Sequence, residues 1–290
     1  MLHYVILIEL GRRMKKVAAL FLFLTIILSS CAKKQVDENE GFSMLLMGHS
    51  FFRPYAERLE EVVLDAGYMS HNQTIVTRGG ENGRALNLWN STGSENTLIK
   101  ETLDNGNVDF MGMTGWNQLH HPTDGYREWI NYALVTNPNI KIFISISPPD
   151  FPNDWEQTAL DYGFLSMEEA YEYHISQNHH KTLIDSLRSE FPSTNIFSIP
   201  TGKASTELLQ MYQDGLLLDS ISHTGPYSSS LFTDEKGHQG KMIVYTGALM
   251  WLNGLYQVDL SDNNFITGFN TDLHSVAQMI MNSHDPDYNQ

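Results

Sequence analysis

Apolar residues fall into two patterns along this chain. Short runs that are apolar almost throughout, at 44–48 (MLLMG), 73–77 (QTIVT), 108–113 (VDFMGM), 140–147 (IKIFISIS) and 195–199 (NIFSI), predict strands. Longer stretches with apolar positions three and four apart predict helices at 53–66, 95–104, 124–135, 166–190, 203–214, 239–256 and 270–282. In the first of these, Ala56, Leu59, Val62 and Val63 share one helical face. Asn105-Gly106 supplies the turn that ends the second helix before the third strand. A strand that does not alternate with polar residues is buried on both faces, and a helix after each strand returns the chain to start a parallel neighbour. The pattern predicts a single α/β domain over 43–290, a three-layer α/β/α sandwich with a central parallel sheet of about five strands. No internal repeat, low-complexity tract or linker divides it.

In open parallel sheets, ligands sit outside the carboxyl ends of the strands. The residues just after each predicted strand are therefore the candidates for chemistry. They are Gly48-His49-Ser50, Arg78 to Gly83, Thr114 to Gln118, and Pro148 to Phe151. Ser50 stands between an apolar run and a helix, and three readings compete for it. A phosphate loop needs more glycine and a Lys-Ser/Thr pair, which MGHSFFR lacks. The lipase elbow G-x-S-x-G fails because Phe52 occupies the place of its second glycine. A plain helix N-cap and a nucleophile remain, and Ser50 alone does not separate them.

Charge and composition narrow the function classes. Hydrophobic residues make up 41% and charged residues 18%, which fits a globular domain and excludes a disordered one. The net charge of −16 argues against a nucleic-acid partner, since phosphate binding needs clustered Lys and Arg. Met14 to Cys31 (MKKVAALFLFLTIILSSC) has two lysines, an apolar run from Val17 to Leu28, and small residues before a cysteine. That is the order of a secretory signal, and the apolar run is shorter than the ~20 residues that span a bilayer. Leu28-Ser29-Ser30-Cys31 resembles the bacterial lipobox, in which the cysteine is lipidated. Cys31 is the one cysteine of the chain, so no internal disulfide forms. The expected organisation is residues 1–13 as a gene-call extension, 14–30 as a lipoprotein signal peptide and 31–42 as a tether. The product would be an exported bacterial lipoprotein, held to a membrane by its N-terminal lipid, in the periplasm or at the cell surface.

A serine hydroxyl becomes a useful nucleophile when a histidine takes its proton and a carboxylate orients that histidine. LFTDEKGHQGKMIVYTG places Asp234 and Glu235 four and three residues before His238, ahead of a long helix. Four short blocks then fall in order at predicted strand ends. Taken together they resemble the SGNH (GDSL-like) hydrolases, secreted esterases on a flavodoxin-like three-layer α/β fold. Gly48-His49-Ser50 matches the nucleophile block except that His49 replaces Asp or Asn. Gly79-Gly80 fits the second block, and Gly115-Trp116-Asn117-Gln118 keeps the glycine and asparagine of the third, with Gln118 in place of Asp. The last block is Asp-x-x-His. Glu235 has its spacing and Asp234 its residue type, so the third triad member stays open, with Asp234 favoured.

The resemblance implies Ser50 as nucleophile, His238 as base, and an oxyanion hole from the Ser50 and Gly80 amides and the Asn117 side chain. It implies no cofactor and no metal. His49, Trp116 and Gln118 would line the pocket. The implied activity is hydrolysis of acetyl or other short acyl esters, expected on carbohydrate, with a small-molecule or polysaccharide ester as substrate. The alternatives are an inactive lipid-anchored glycan-binding protein and an acyltransferase with the same triad. Trp116, Phe151 and Trp155 lie in predicted loops at the catalytic end and offer flat faces to sugar rings or acyl chains. His120-His121 follow the third block. His174, His179 and His180 are expected on a solvated helix face, and His223, with Asp219 upstream, is a rival base that lacks the following helix.

Overall fold

The structure, a computed structural model, describes residues 40–115 and 121–290, and its compact unit begins at Gly41. Cys31, the signal segment and most of the expected tether lie outside the described residues. So do Trp116, Asn117, Gln118 and His120.

Five strands form one parallel sheet: β1 (Ser43–Gly48), β2 (Asn72–Thr77), β3 (Phe110–Thr114), β4 (Lys141–Ser145) and β5 (Ile196–Ile199). Their order across the sheet is β2-β1-β3-β4-β5. The chain therefore reverses direction between β1 and β3, whose registers run Met44 to Phe110 and Met47 to Met113. A reversal of this kind leaves a crevice at the carboxyl ends of the two strands.

Alternate residues of each strand serve opposite layers. Met44 and Leu46 join Phe110, Phe143 and Phe197 in one core, beneath α1 (Arg53–Asp65), α8 (Lys203–Gln213), α9 (Lys241–Tyr256) and α10 (Leu273–Ser283). Leu45 and Met47 join Met111, Met113, Ile142 and Ile144 in the other. That layer carries α2 (Ala85–Asn90), α3 (Ser94–Asp104), α4 (Tyr126–Thr136) and α7 (Asp185–Glu190). The three-layer α/β/α sandwich expected from the sequence is the observed architecture. Helix α9 is apolar on nearly every side because it lies between α1 and α10 over the sheet, with Trp251 wholly buried against Phe52 and Phe143. Burying a side chain of that class contributes about 1.5–3 kcal/mol.

Three departures from the sequence expectation bear on the site. Two short helices, α5 (Trp155–Asp161) and α6 (Met167–Tyr173), follow β4, and only the second had been expected. The single helix expected over 166–190 is α6, a π-helix (His174–Ile184) and α7 in succession. Side chains reach carbonyls five residues back within the widened stretch: Thr182 Oγ1 donates to Gln177 O at 2.6 Å, and His179 Nδ1 lies 3.3 Å from His174 O. Finally, β6 (Ser222–Thr224) and β7 (Ser230–Phe232) form a small second sheet. The last residues of the expected tether, Gly41 and Phe42, also join the fold. Gly41 N donates to Ser70 Oγ, Phe42 N donates to the Tyr256 hydroxyl, and the Phe42 ring packs on Phe110.

Candidate active site

Strand β1 ends at Gly48, and the chain turns at once because the His49 carbonyl accepts the amides of both Phe52 and Arg53. That turn starts α1, whose cap position is Phe52 and carries no side-chain cap bond. Ser50 is therefore not the cap. Its hydroxyl lies instead 2.9 Å from His238 Nε2, across 188 residues of sequence. The turn is close-fitting: a Cβ on Gly83 would meet Gly48 O at 2.4 Å and His49 Cα at 2.6 Å, so the loop after β2 lies directly on the serine turn.

His238 is held from below by a tight hairpin. Thr233 N donates to His238 O at 2.7 Å and Phe232 bridges Gln239, closing a loop over 234–237. Asp234 Oδ1 accepts the amides of Gly237 and His238, and its Oδ2 lies 2.6 Å from His238 Nδ1. The acid sits one residue farther from the histidine than the Asp-x-x-His spacing. Gly237 absorbs that residue at φ +97°, a region other side chains rarely enter. A Cβ there would also meet Pro152 Cδ at 2.8 Å. Phe151 N donates to Lys236 O, and Phe151 itself is left-handed at φ +61°, so the β4 loop clamps the hairpin from outside. Phe51 stacks on the imidazole of His238 with ring centroids 4.9 Å apart. Glu235, the other candidate acid, is exposed and does not reach His238.

Electrostatics sharpen the roles. Partial burial pushes the Asp234 carboxyl up, but bonds from the His238 ring and from the His238 and Gly237 amides outweigh it. Together with the imidazole charge they hold the carboxyl below its usual range. His49 is pushed down to about 4 by burial, with the nearby cations Arg84 and Lys236 and the His238 ring adding to the effect. It is therefore a neutral imidazole. Phe51 N donates to its Nδ1, which fixes the proton on Nε2, and Nε2 then donates to Thr114 Oγ1 at 3.0 Å. Thr114 Oγ1 lies 3.4 Å from Ser147 Oγ. A neutral histidine in this place ties the ends of β1 and β3 together and adds no charge beside the serine.

Ser50 and Gly80 line one cavity of about 780 Å³, with His49 and Gly115 beside them. Gly80 opens a short 3-10 turn at φ +56°, and neither its amide nor that of Ser50 donates to another described residue. Of the expected aromatic faces, Phe151 is exposed and Trp155, the first residue of α5, is buried but lines the cavity. Glu81, Arg84, Asp150 and Lys236 bring charge to the lining. Arg84 pairs with Glu81 at 2.8 Å and Lys236 with Asp150 at 3.6 Å.

The other histidines are placed differently from expectation. His174, His179 and His180 do not form a solvated face. His179 and His180 are 1% and 2% exposed, because the π-helix lies against β5 and the C-terminal residues cover it. His180 and His284 share Ser198 Oγ at 3.1 and 3.0 Å, and Tyr288 stacks on His180. Burial holds all of them neutral. Among the described residues, no three His, Cys, Asp or Glu side chains converge where a metal ion could sit. His223 bonds Thr224 and packs on Phe232, and Asp219 is taken up by Asn270 and Thr271, so that pair does not assemble. His121 is exposed. No helix among the described residues is long and apolar enough to cross a membrane.

No protein-family model and no curated protein matches this chain. Among solved structures, the periplasmic domain of a lipopolysaccharide acetyltransferase from Salmonella ser. Paratyphi A is similar at a TM-score of 0.37 and 13% identity. The match covers 57% of this chain and 68% of that one. Likeness at that level carries no argument about activity, which rests on the geometry of the site.

Sequence reasoning singled out Ser50 and His238 and left the acid open between Asp234, by residue type, and Glu235, by spacing; the structure places Ser50, His238 and Asp234 in contact. Beyond Trp155 it did not assign Ala159, Phe164, Met167 and Tyr171 to a cavity wall. The aromatic residues Trp155, Tyr162, Phe164, Tyr171 and Tyr173 are the sequence signal for that wall, interleaved with polar positions over a helix of only seven residues.

Proposed function

We propose that this protein is a serine esterase of the SGNH-like kind, exported and anchored through Cys31, that cleaves carboxylic esters. The observation that carries the reading is the chain of contacts Ser50 Oγ–His238 Nε2 at 2.9 Å and His238 Nδ1–Asp234 Oδ2 at 2.6 Å. Ser50 Oγ attacks the ester carbonyl carbon as His238 Nε2 takes its proton, and the carbonyl oxygen becomes an oxyanion. The Ser50 and Gly80 amides and the Asn117 side chain are the proposed donors to that oxyanion. Such a donor is worth about 10²–10³ in rate. When the carbonyl re-forms, the bond to the alcohol oxygen breaks, and His238 returns its proton to the departing alcohol. Water then repeats the sequence on the acyl-serine, giving the carboxylic acid and free Ser50. Asp234 stays ionised and holds the imidazole with its Nδ1 proton inward.

The engagement of Ser50 with His238, in place of the helix cap, supports catalysis over a binding-only role. Purified protein is expected to hydrolyse p-nitrophenyl butyrate, with kcat/KM falling at least ~10³-fold in Ser50→Ala. Folded protein without turnover of any activated ester contradicts the reading. Release of acyl product to an added sugar in preference to water would move the assignment to the acyltransferase with the same triad.

A further inference from the structure

We infer that the cavity beside Ser50 is an acyl compartment built for an aliphatic chain well beyond acetyl in length. The inference rests on Ser50 being the nucleophile.

Size is the first ground. The cavity measures about 780 Å³. A methyl group takes up about the volume of one water, roughly 30 Å³, so an acetyl group would leave almost all of the space to solvent. Cavities of this size bury whole drug-sized ligands.

The chemistry of the wall is the second ground. Its apolar part comes from α5, α6 and the turn between them, with Trp155, Ala159, Phe164, Met167 and Tyr171 facing the space. The polar atoms of these side chains are already taken up by the protein. Trp155 Nε1 donates to Asp150 O at 3.1 Å, and the Tyr171 hydroxyl donates to Ser147 O at 3.0 Å. Where the π-helix reaches the cavity, Asn178 Nδ2 donates to His174 Nδ1 at 3.1 Å, which takes up one N–H of the amide and one ring nitrogen. Sugar hydroxyls set against Trp155, Ala159, Phe164, Met167 and Tyr171 would lose water without regaining bonds, whereas methylene groups lose nothing.

Direction is the third. His238 must protonate the departing alcohol, yet it is not among the described residues that line the cavity. The alcohol therefore leaves on the His238 side, toward solvent, and the acyl part points the other way, into the cavity. The charged lining residues Glu81, Arg84, Asp150 and Lys236 all come from the loops around Ser50, whereas α5, α6 and the turn between them add no charged residue to the lining. Tyr162 and Tyr173 also line the cavity while 79% and 50% exposed, which gives an alkyl chain an apolar way in.

The test is a p-nitrophenyl ester series of acetate, butyrate, octanoate and palmitate. Each buried methylene is worth roughly fourfold, so kcat/KM is expected to rise at least ~30-fold from acetate to octanoate. Ala170→Trp, which fills the half-buried wall position on α6, should lower octanoate at least ~10-fold more than acetate. If that variant fails to fold, Ala159→Leu takes its place. Preference for acetate, or equal losses on both esters in the folded variant, overturns the compartment. Displacement of an anilinonaphthalene sulfonate dye from Ser50→Ala separates the two readings. Octanoate but not acetate should displace it. If no ester is turned over while octanoate still displaces the dye, the nucleophile reading fails and the compartment stands. If neither fatty acid displaces the dye, the compartment fails whatever the esterase result.

Discussion

The two sides of the cavity are held in different ways. Ser50, His238 and Asp234 stand on backbone-locked turns: the end of β1, with two amides on the His49 carbonyl, and the closed hairpin after β7 with its left-handed Gly237. The opposite wall rests on side-chain packing along α5, α6 and a π-helix that departs from regular helical bonding. The proposed proton transfer depends on tenths of an ångström, and the groups assigned to it sit where main-chain bonds fix them. The alkyl chain inferred for the cavity would need only a dry surface, which irregular structure can supply.

The comparison breaks most visibly if the first side is cut. His238→Ala should lower kcat/KM by about 10⁴, and adding Ser50→Ala should cost little more, because the two act as one unit. Additive losses, read by steady-state kinetics on p-nitrophenyl octanoate, would mean that the groups do not work together. The next largest effect separates the acids. Asp234→Asn should lower kcat by about 10³–10⁴, as the imidazole loses the partner that sets its tautomer. Glu235→Gln should change kcat/KM by less than about twofold, as expected for an exposed surface carboxylate. The reverse result would hand the role to Glu235.

A smaller effect probes the hairpin alone. Gly237→Ala must take a left-handed conformation and push against Pro152, at a cost of about 1–3 kcal/mol in stability by chemical denaturation. kcat should fall about tenfold, since a modest shift of His238 lengthens its bond to Ser50. An unchanged kcat would show that the hairpin does not set the position of the base.

Acid should act on both sides through buried histidines. Burial pushes His49, His174 and His284 to about 4 and His180 to about 3. Unfolded histidines gain protons as pH falls below about 6.5, and these folded ones do not, so the unfolded chain binds more protons in that window. Stability is therefore flat above about pH 6.5 from this source and is lost as pH falls toward 4. Scanning calorimetry should show Tm at least ~5 °C lower at pH 4.5 than at pH 7. An unchanged Tm would mean that these rings are solvated.

Much of the first side was legible in the sequence, and little of the second. Apolar runs such as MLLMG mark strands buried on both faces, so the five strands and their parallel arrangement follow from pattern alone. Ser50 and His238 stand out because a nucleophile needs a base and each sits beside a predicted strand end or helix start. The choice of Asp234 needed three dimensions, since only the left-handed turn at Gly237 brings a residue four positions back onto the imidazole. The histidines at 174, 179 and 180 misled because residue type suggests exposure, whereas π-helical geometry and the C-terminal residues bury them. Helix α5 is seven residues long, too short for a periodic signal, and with it the wall of the cavity went unread.

The most direct test of the central claim is labelling with a fluorophosphonate, followed by peptide mass spectrometry. Ser50 is predicted to carry the adduct at close to one per chain, with labelling slowed at least ~10³-fold in His238→Ala. An adduct on another residue, or a labelling rate at Ser50 that ignores His238, would contradict the account.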